Sequence, residues 1–315
     1  MTTRFYTHNA CLDHDTGAGH PERIDRLRAV NRAVETGSFD GLEHHEAPRA
    51  TRDRLELMHP ADHVEEVLAA VPQEGQRHLD PDTVVSPGSA EAALRAAGAL
   101  VDAVDAVVTG KADNAFCAVR PPGHHAEPTR AMGFCLFNSV AIGAEHARQA
   151  HGLARAAVVD FDVHHGNGTQ AMFWDDEGLF YGSTHQFPHY PGTGRPDETG
   201  RHGNIANAPL APGTGSETFR KAFDEIVLPA LHDFRPEIVF ISAGFDAHER
   251  DPLAQINLHE EDYAWATDRL AEIARDHAGG RVVSVLEGGY DLMALGSSAA
   301  VHIERLMAAG NGDTT

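Results

Sequence analysis

The chain has 315 residues, 42% hydrophobic and 23% charged, a size that fits one large α/β domain or two small ones. Its formal charge of −22, with Lys111 and Lys221 the only lysines, excludes a phosphate-backbone binder, which needs clustered Lys and Arg. No charged-then-apolar leader is visible, and no apolar run approaches the roughly 18 residues of a membrane span, so no nucleic-acid or membrane partner and a cytoplasmic location are expected.

In chain order the pattern predicts a strand at "RFYTH" (4–8), a helix at "PERIDRLRAVNRAVETG" (21–37) and another at "PADHVEEVLAAV" (60–71). From about residue 90, helices alternate with short β-branched runs, the mark of a parallel sheet covered on both faces. A helix over 89–110 opens on Ser89 and stops at Gly110; a strand follows at 114–120, a helix at 137–152 and strands at 155–163 and 178–185. A helix at 216–234, a strand at 236–244, a helix at 259–280 and a strand at 281–289 complete the series. Repeats and linkers are absent, and one domain over 1–315 is the simplest account. Cys11, Cys117 and Cys135 form no CxxC pair, so neither a disulfide framework nor a thiolate zinc site is indicated.

Ligands of open parallel sheets bind beyond the carboxyl ends of the strands. Four of the predicted strands end in chemistry: they run out into "RPPGHHAEP", "HHGNG", "FDAHERDP" and Tyr290, bringing His124, His125, Asp160, Asp162, His164 and Asp246 to one rim. Strand side chains alternate, which sets Asp160, Asp162 and His164 on one side and Phe161, Val163 and His165 on the other. Burying carboxylates and imidazoles costs several kcal/mol unless they are paired, and a divalent ion held by two Asp and a His supplies the partner while leaving positions open. The plainer reading is a salt-bridged Asp–His cluster, against which Asp246, on a second strand, counts. His44 and His45 read as a solvated loop, and His59, His63 and His185 have no motif around them.

Seven blocks, "HPERIDR" (20–26), "RPPGHHA" (120–126), "GFCLFN" (133–138), "DFDVHHGNGTQ" (160–170), "HQFPHYPGTG" (185–194), "SAGFDAHERDPL" (242–253) and "LEGGYDL" (286–292), together resemble the histone deacetylase and acetylpolyamine amidohydrolase superfamily, with class II features. The resemblance implies the three-layer α/β arginase-deacetylase fold, a mostly parallel sheet between helices, one zinc ion per chain and an acylated amine, acetyl-lysine or acetylpolyamine, as substrate. It implies Asp162, His164 and Asp246 as zinc ligands and His125 as general base. His124 is implied to be held by Asp160, Asn167 to partner His125, and Tyr290 to be the oxyanion donor. It also implies tunnel walls at Phe134 and Tyr190 with Gly133 at the floor, and close backbone approach to substrate at Gly288 and Gly289. Arg26 falls near an acetate-release pocket, Asp82 on an acidic rim, and a structural potassium ion near Asp160 and Ser183. Two rival readings stand beside this one. A binuclear manganese ureohydrolase shares the fold, but Gly166 and His248 stand where its further ligands are needed. An inactive acyl-lysine binder has no use for both histidines and Tyr290.

Overall fold

The computed structural model describes residues 2–310. Its strands are β1 (Thr3–Thr7), β2 (Leu42–Glu46), β3 (Arg77–Asp80), β4 (Thr83–Val85), β5 (Asn114–Cys117), β6 (Ala156–Asp160), β7 (Leu179–Gln186), β8 (Ile205–Leu210), β9 (Ile238–Ala243) and β10 (Val282–Leu286). Eight of them form one sheet in the order β2-β1-β5-β10-β9-β6-β7-β8, every neighbouring pair parallel, while β3 and β4 make a separate antiparallel hairpin.

The helices are α1 (Ile24–Thr36), α2 (Arg52–Leu55), α3 (Ala61–Ala69), α4 (Ser89–Val108), α5 (Ser139–His151), α6 (Asn167–Phe173), α7 (Ser216–Ala222), α8 (Leu228–Phe234), α9 (Glu260–His277) and α10 (Leu292–Gly310). Phe240 on β9 lies between the sheet and the α4–α5 pair, whereas Ser284, on the opposite face of β10, donates to or accepts from His302 of α10 at 2.8 Å. Helices thus cover both faces, and every residue of β5, β6, β9 and β10 is buried, which is why those strands are predominantly apolar.

The differences from the sequence pattern have local causes. The 216–234 helix is continuous but contains a π-turn at Phe223–Val227, where the Leu228 N–H bonds back to Phe223. Pro229 lies just beyond it, and the wider turn accommodates a ring that would otherwise clash with the preceding turn. β6 stops at Asp160, so 161–166 is an irregular segment. His44 and His45 form part of the edge strand β2 and lie against Phe5 and Tyr6, with ring centroids 5.3 and 5.4 Å apart. β8, α6, α10 and the β3–β4 hairpin lie outside the predicted elements, although α10 buries Leu295, Ala299, Ile303 and Leu306 at helical spacing and Pro81–Asp82 is a turn signal. No helix among the described residues is long and apolar enough to cross a membrane.

Candidate metal and catalytic centre

β5, β10, β9 and β6 are consecutive neighbours in the sheet, so the four segments that follow them open onto one crevice. Asp160 ends β6, and the two residues after it turn so that its Oδ1 accepts the Asp162 N–H at 3.0 Å. Asp162 and His164 project together from this irregular segment, while Phe161 and Val163 go into the core. Asp246 arrives from beyond β9, its Oδ1 held by the Val163 N–H at 2.8 Å.

His164 Nδ1 stands 3.1 Å from Asp162 Oδ1 and 3.1 Å from Asp246 Oδ2, so one ring nitrogen is bracketed by two carboxylates. Ligand atoms of all three residues lie within 4.8 Å of one another. Both carboxylates are essentially enclosed, at 1% and 0% exposure. Burial and the Asp162 charge push Asp246 above the usual carboxylate range, and burial would do the same to Asp162, but His124 and His164 hold that group well below it. Two adjacent buried carboxylates converging on one imidazole nitrogen form a donor set with an unsatisfied demand for positive charge, and it fits a divalent cation that takes one N and two O ligands.

Two imidazoles flank this group with different partners. His124 Nδ1 meets Asp160 Oδ2 at 2.9 Å, and that oxygen also accepts the Tyr181 hydroxyl at 3.1 Å. Burial favours neutral His124, yet Asp162 and Asp160 outweigh it and raise the ring to about 10. His125 Nδ1 meets Asn167 Oδ1 at 2.8 Å. The Asn167 amide cannot turn round, because its Nδ2 donates to Glu127 Oε1 at 2.8 Å. His125 therefore carries its proton on Nδ1 and keeps a lone pair on Nε2. Burial, with His124 and His164 nearby, holds it well below its ordinary value.

Above the group lies a cavity of about 200 Å³ lined by Asp82, His125, Gly133, Phe134, His164, His189, Tyr190, Leu253 and Tyr290. Phe134 and Tyr290 meet edge to face at 6.0 Å, and Tyr190 stands 5.2 Å from the His125 ring. Gly133 has φ +56°, and a methyl group there would come 2.7 Å from His125 Cγ, so only glycine lets the backbone lie against that ring. Asp82 caps the turn from the other side, accepting the Gly133 N–H at 3.1 Å.

Gly288 and Gly289 are absent from the cavity lining. Gly288 donates to Asp162 Oδ2 at 2.7 Å, and a Cβ would stand 2.5 Å from that same oxygen, so its smallness serves the carboxylates. Arg26 is fully buried and comes from behind Tyr290. Its Nε donates to Gly289 O at 2.6 Å, and its guanidinium lies 4.9 Å from the Tyr290 ring centroid. Ser183 Oγ is within 2.9 Å of His185 Nδ1. His248 turns away from Asp246, with Nε2 3.4 Å from Glu260.

Several contributors carried no assigned role, although His189, Asp251 and Glu287 lie inside the quoted blocks. His189 stacks on His164 at 5.1 Å and bonds to Leu253 O, closing one wall. Glu127 fixes the Asn167 amide, and Asp251 accepts the Tyr290 N–H at 2.7 Å. Glu287, 1% exposed and raised to about 7 by burial, accepts the N–H of Gly123 at 2.7 Å and of His124 at 3.2 Å. Its nearness to "GHH" follows only from β10 pairing with β5.

The Histone deacetylase domain model matches residues 20–306. The chain belongs to the histone deacetylase family. It is 38% identical to the histone deacetylase-like amidohydrolase of Pseudomonas aeruginosa, over 91% of this chain and 81% of that protein. It is 39% identical to a probable deacetylase of Archaeoglobus fulgidus, over 93% of this chain and 82% of that one. The crystal structure of the HDA15 HD domain superposes with a TM-score of 0.92 at 38% identity, covering 98% of this chain and 90% of that one. Deacetylase-family membership makes the chain a hydrolase that acts on acylated amines, and its sheet and helix layers are those of the arginase-deacetylase fold.

Proposed function

We propose that this histone deacetylase family member is a zinc-dependent amidohydrolase that removes acetyl groups from acetyl-lysine or acetylated polyamines, working as one catalytic unit over 1–315 in the cytoplasm. One observation carries the reading: beside a buried Asp–His–Asp donor set stand two imidazoles with different partners, His124 on the Asp160 carboxylate and His125 on the Asn167 amide, and His125 lines a small aromatic-walled cavity. Asp162, His164 and Asp246 would hold the zinc, which supplies Lewis acidity toward water and the amide carbonyl when bound.

The protein groups divide the remaining work. His125, with Nε2 unprotonated because Asn167 holds the proton on Nδ1, takes a proton from the attacking water. His124, raised by Asp162 and Asp160 and bonded to Asp160 through Nδ1, has a proton to give the departing amine. Tyr290 donates to the oxygen on which negative charge develops, and Arg26 behind it and Asp251 on its backbone hold it in place. Phe134 and Tyr190 exclude water from the acyl chain's methylenes, with Gly133 at the floor and Asp82 on the rim. Gly288 leaves room for the Asp162 and Asp246 carboxylates, and Gly289, at φ +124°, presents the carbonyl that accepts from Arg26 Nε. A potassium ion near Asp160 and Ser183 belongs to the same reading.

Metal analysis of purified protein and turnover of a fluorogenic acetyl-lysine substrate test the proposal. One zinc per chain at this group, lost on Asp162→Ala together with activity, is expected. Two manganese equivalents with zinc absent would instead mean a ureohydrolase. Zinc occupancy without turnover of acetyl-lysine or acetylpolyamines would mean a binding protein.

A further inference from the structure

A second set of metal-binding residue types lies at the other end of the molecule. α4 leads into β5 and α5 into β6, so the last turns of these helices sit at the amino-terminal edge of the sheet, away from the crevice. There Asp105 of α4 faces His146 and His151 of α5. One carboxylate oxygen, Asp105 Oδ1, lies 2.7 Å from His146 Nε2 and 2.7 Å from His151 Nε2. Among the described residues, only this trio and the Asp162 group bring ligand atoms from three such side chains within 4.8 Å of one another.

We propose that Asp105, His146 and His151 form a second divalent-cation site that takes zinc or a similar borderline metal and clips α4 to α5. The geometry supports it in three ways. One carboxylate and two imidazoles are a known zinc donor set, and N···O separations need widen only from 2.7 Å to about 3.4 Å for tetrahedral coordination. His146 is 2% exposed while the Asp105 side chain is 49% exposed, so the site is anchored on one side and open to water for a fourth ligand on the other. The charge balance suits a cation: burial keeps His146 below its ordinary value, and the ring N–H groups outweigh burial to hold the Asp105 carboxylate below its own.

One neighbour opposes the metal. Arg54 Nη1 lies 3.3 Å from His146 Nδ1 and donates to it, which leaves the proton on Nε2, pointing at Asp105. Cation binding moves that proton to Nδ1, and Arg54, 38% exposed, must swing outward. Binding at this site therefore competes with the Arg54–His146 hydrogen bond and is weaker than the same ligands would give without it.

Calorimetric titration of the holoenzyme with zinc reads the site directly. Wild-type protein takes up one equivalent beyond that in the Asp162 group, and its melting temperature rises with zinc. His151→Gln weakens this uptake at least tenfold and abolishes the thermal shift. Arg54→Gln tightens it, which keeps the test decisive even if His151→Gln folds poorly. Deacetylase turnover is unaffected by either substitution, so the result stands whether or not the first group proves catalytic. Zinc uptake indifferent to both substitutions overturns the site.

Discussion

Replacing Gly133 by Ala tests the link between backbone geometry and the proposed base. The added methyl would sit 2.7 Å from His125 Cγ and 2.8 Å from its Cβ, and closer still to Cδ2, while carbon atoms in contact stand about 3.5–4.0 Å apart. The ring must therefore retreat by about 1 Å, breaking the 2.8 Å bond to Asn167 or turning Nε2 away from the cavity. A misplacement of this size costs about 10²-fold in rate where a reacting group is involved. The left-handed φ of +56° adds a separate cost of about 1–2 kcal/mol in stability. Steady-state kinetics on acetyl-lysine peptide, with zinc content and melting temperature measured in parallel, separates the two effects. The expected outcome is kcat lowered about 10²-fold, zinc retained and melting lowered by a few degrees. Near-normal kcat in a folded, zinc-loaded Gly133→Ala enzyme would show that His125 is not the base, or that the loop yields instead of the ring.

Tyr290→Phe, which deletes only a hydroxyl from the cavity wall, is expected to lower kcat by at least about 10²-fold with zinc content unchanged, by kinetics and metal analysis. His302 is enclosed, and burial lowers it to about 3. Because the unfolded chain takes up its proton near pH 6.5, stability is full above that value and is lost as pH falls toward 3. The loss is about 2 kcal/mol at pH 5. Urea unfolding at pH 7.5 and 5 checks this, and His302→Gln should narrow the difference by that amount. Substrate steering by the −22 charge predicts that kcat/KM for cationic acetylpolyamines falls as ionic strength rises from about 0.01 to about 0.15 M, relative to a neutral acyl-amide. Equal responses would show that the acidity serves solubility alone.

Much of the centre is legible before folding because its chemistry is local. Asp160, Asp162 and His164 share one strand end, His124 and His125 are adjacent, and an apolar run ending in carboxylates needs a partner wherever it lies. The alternating helices and β-branched runs likewise announce a parallel sheet, since burial on both faces demands unbroken apolar strands. Of the elements missed, β2 and β8 are edge strands and α6 is held by backbone bonds to the His124 carbonyl, so their stability comes from neighbours.

What only the tertiary structure decided is which distant residues complete each local group. The order β5-β10-β9-β6 is not written in the chain, yet it puts Asp246 beside His164 and Glu287 under His124. The same applies to Glu127, which orients Asn167, and to Arg26, whose place as the buried support of Tyr290 is set by packing. Sequence carries the identity of side chains and the period of their exposure. Proton positions, close approaches such as Gly133 on His125, and the pairing of helix ends that joins Asp105 to His146 depend on contacts between segments far apart in the chain, and those are set by packing alone.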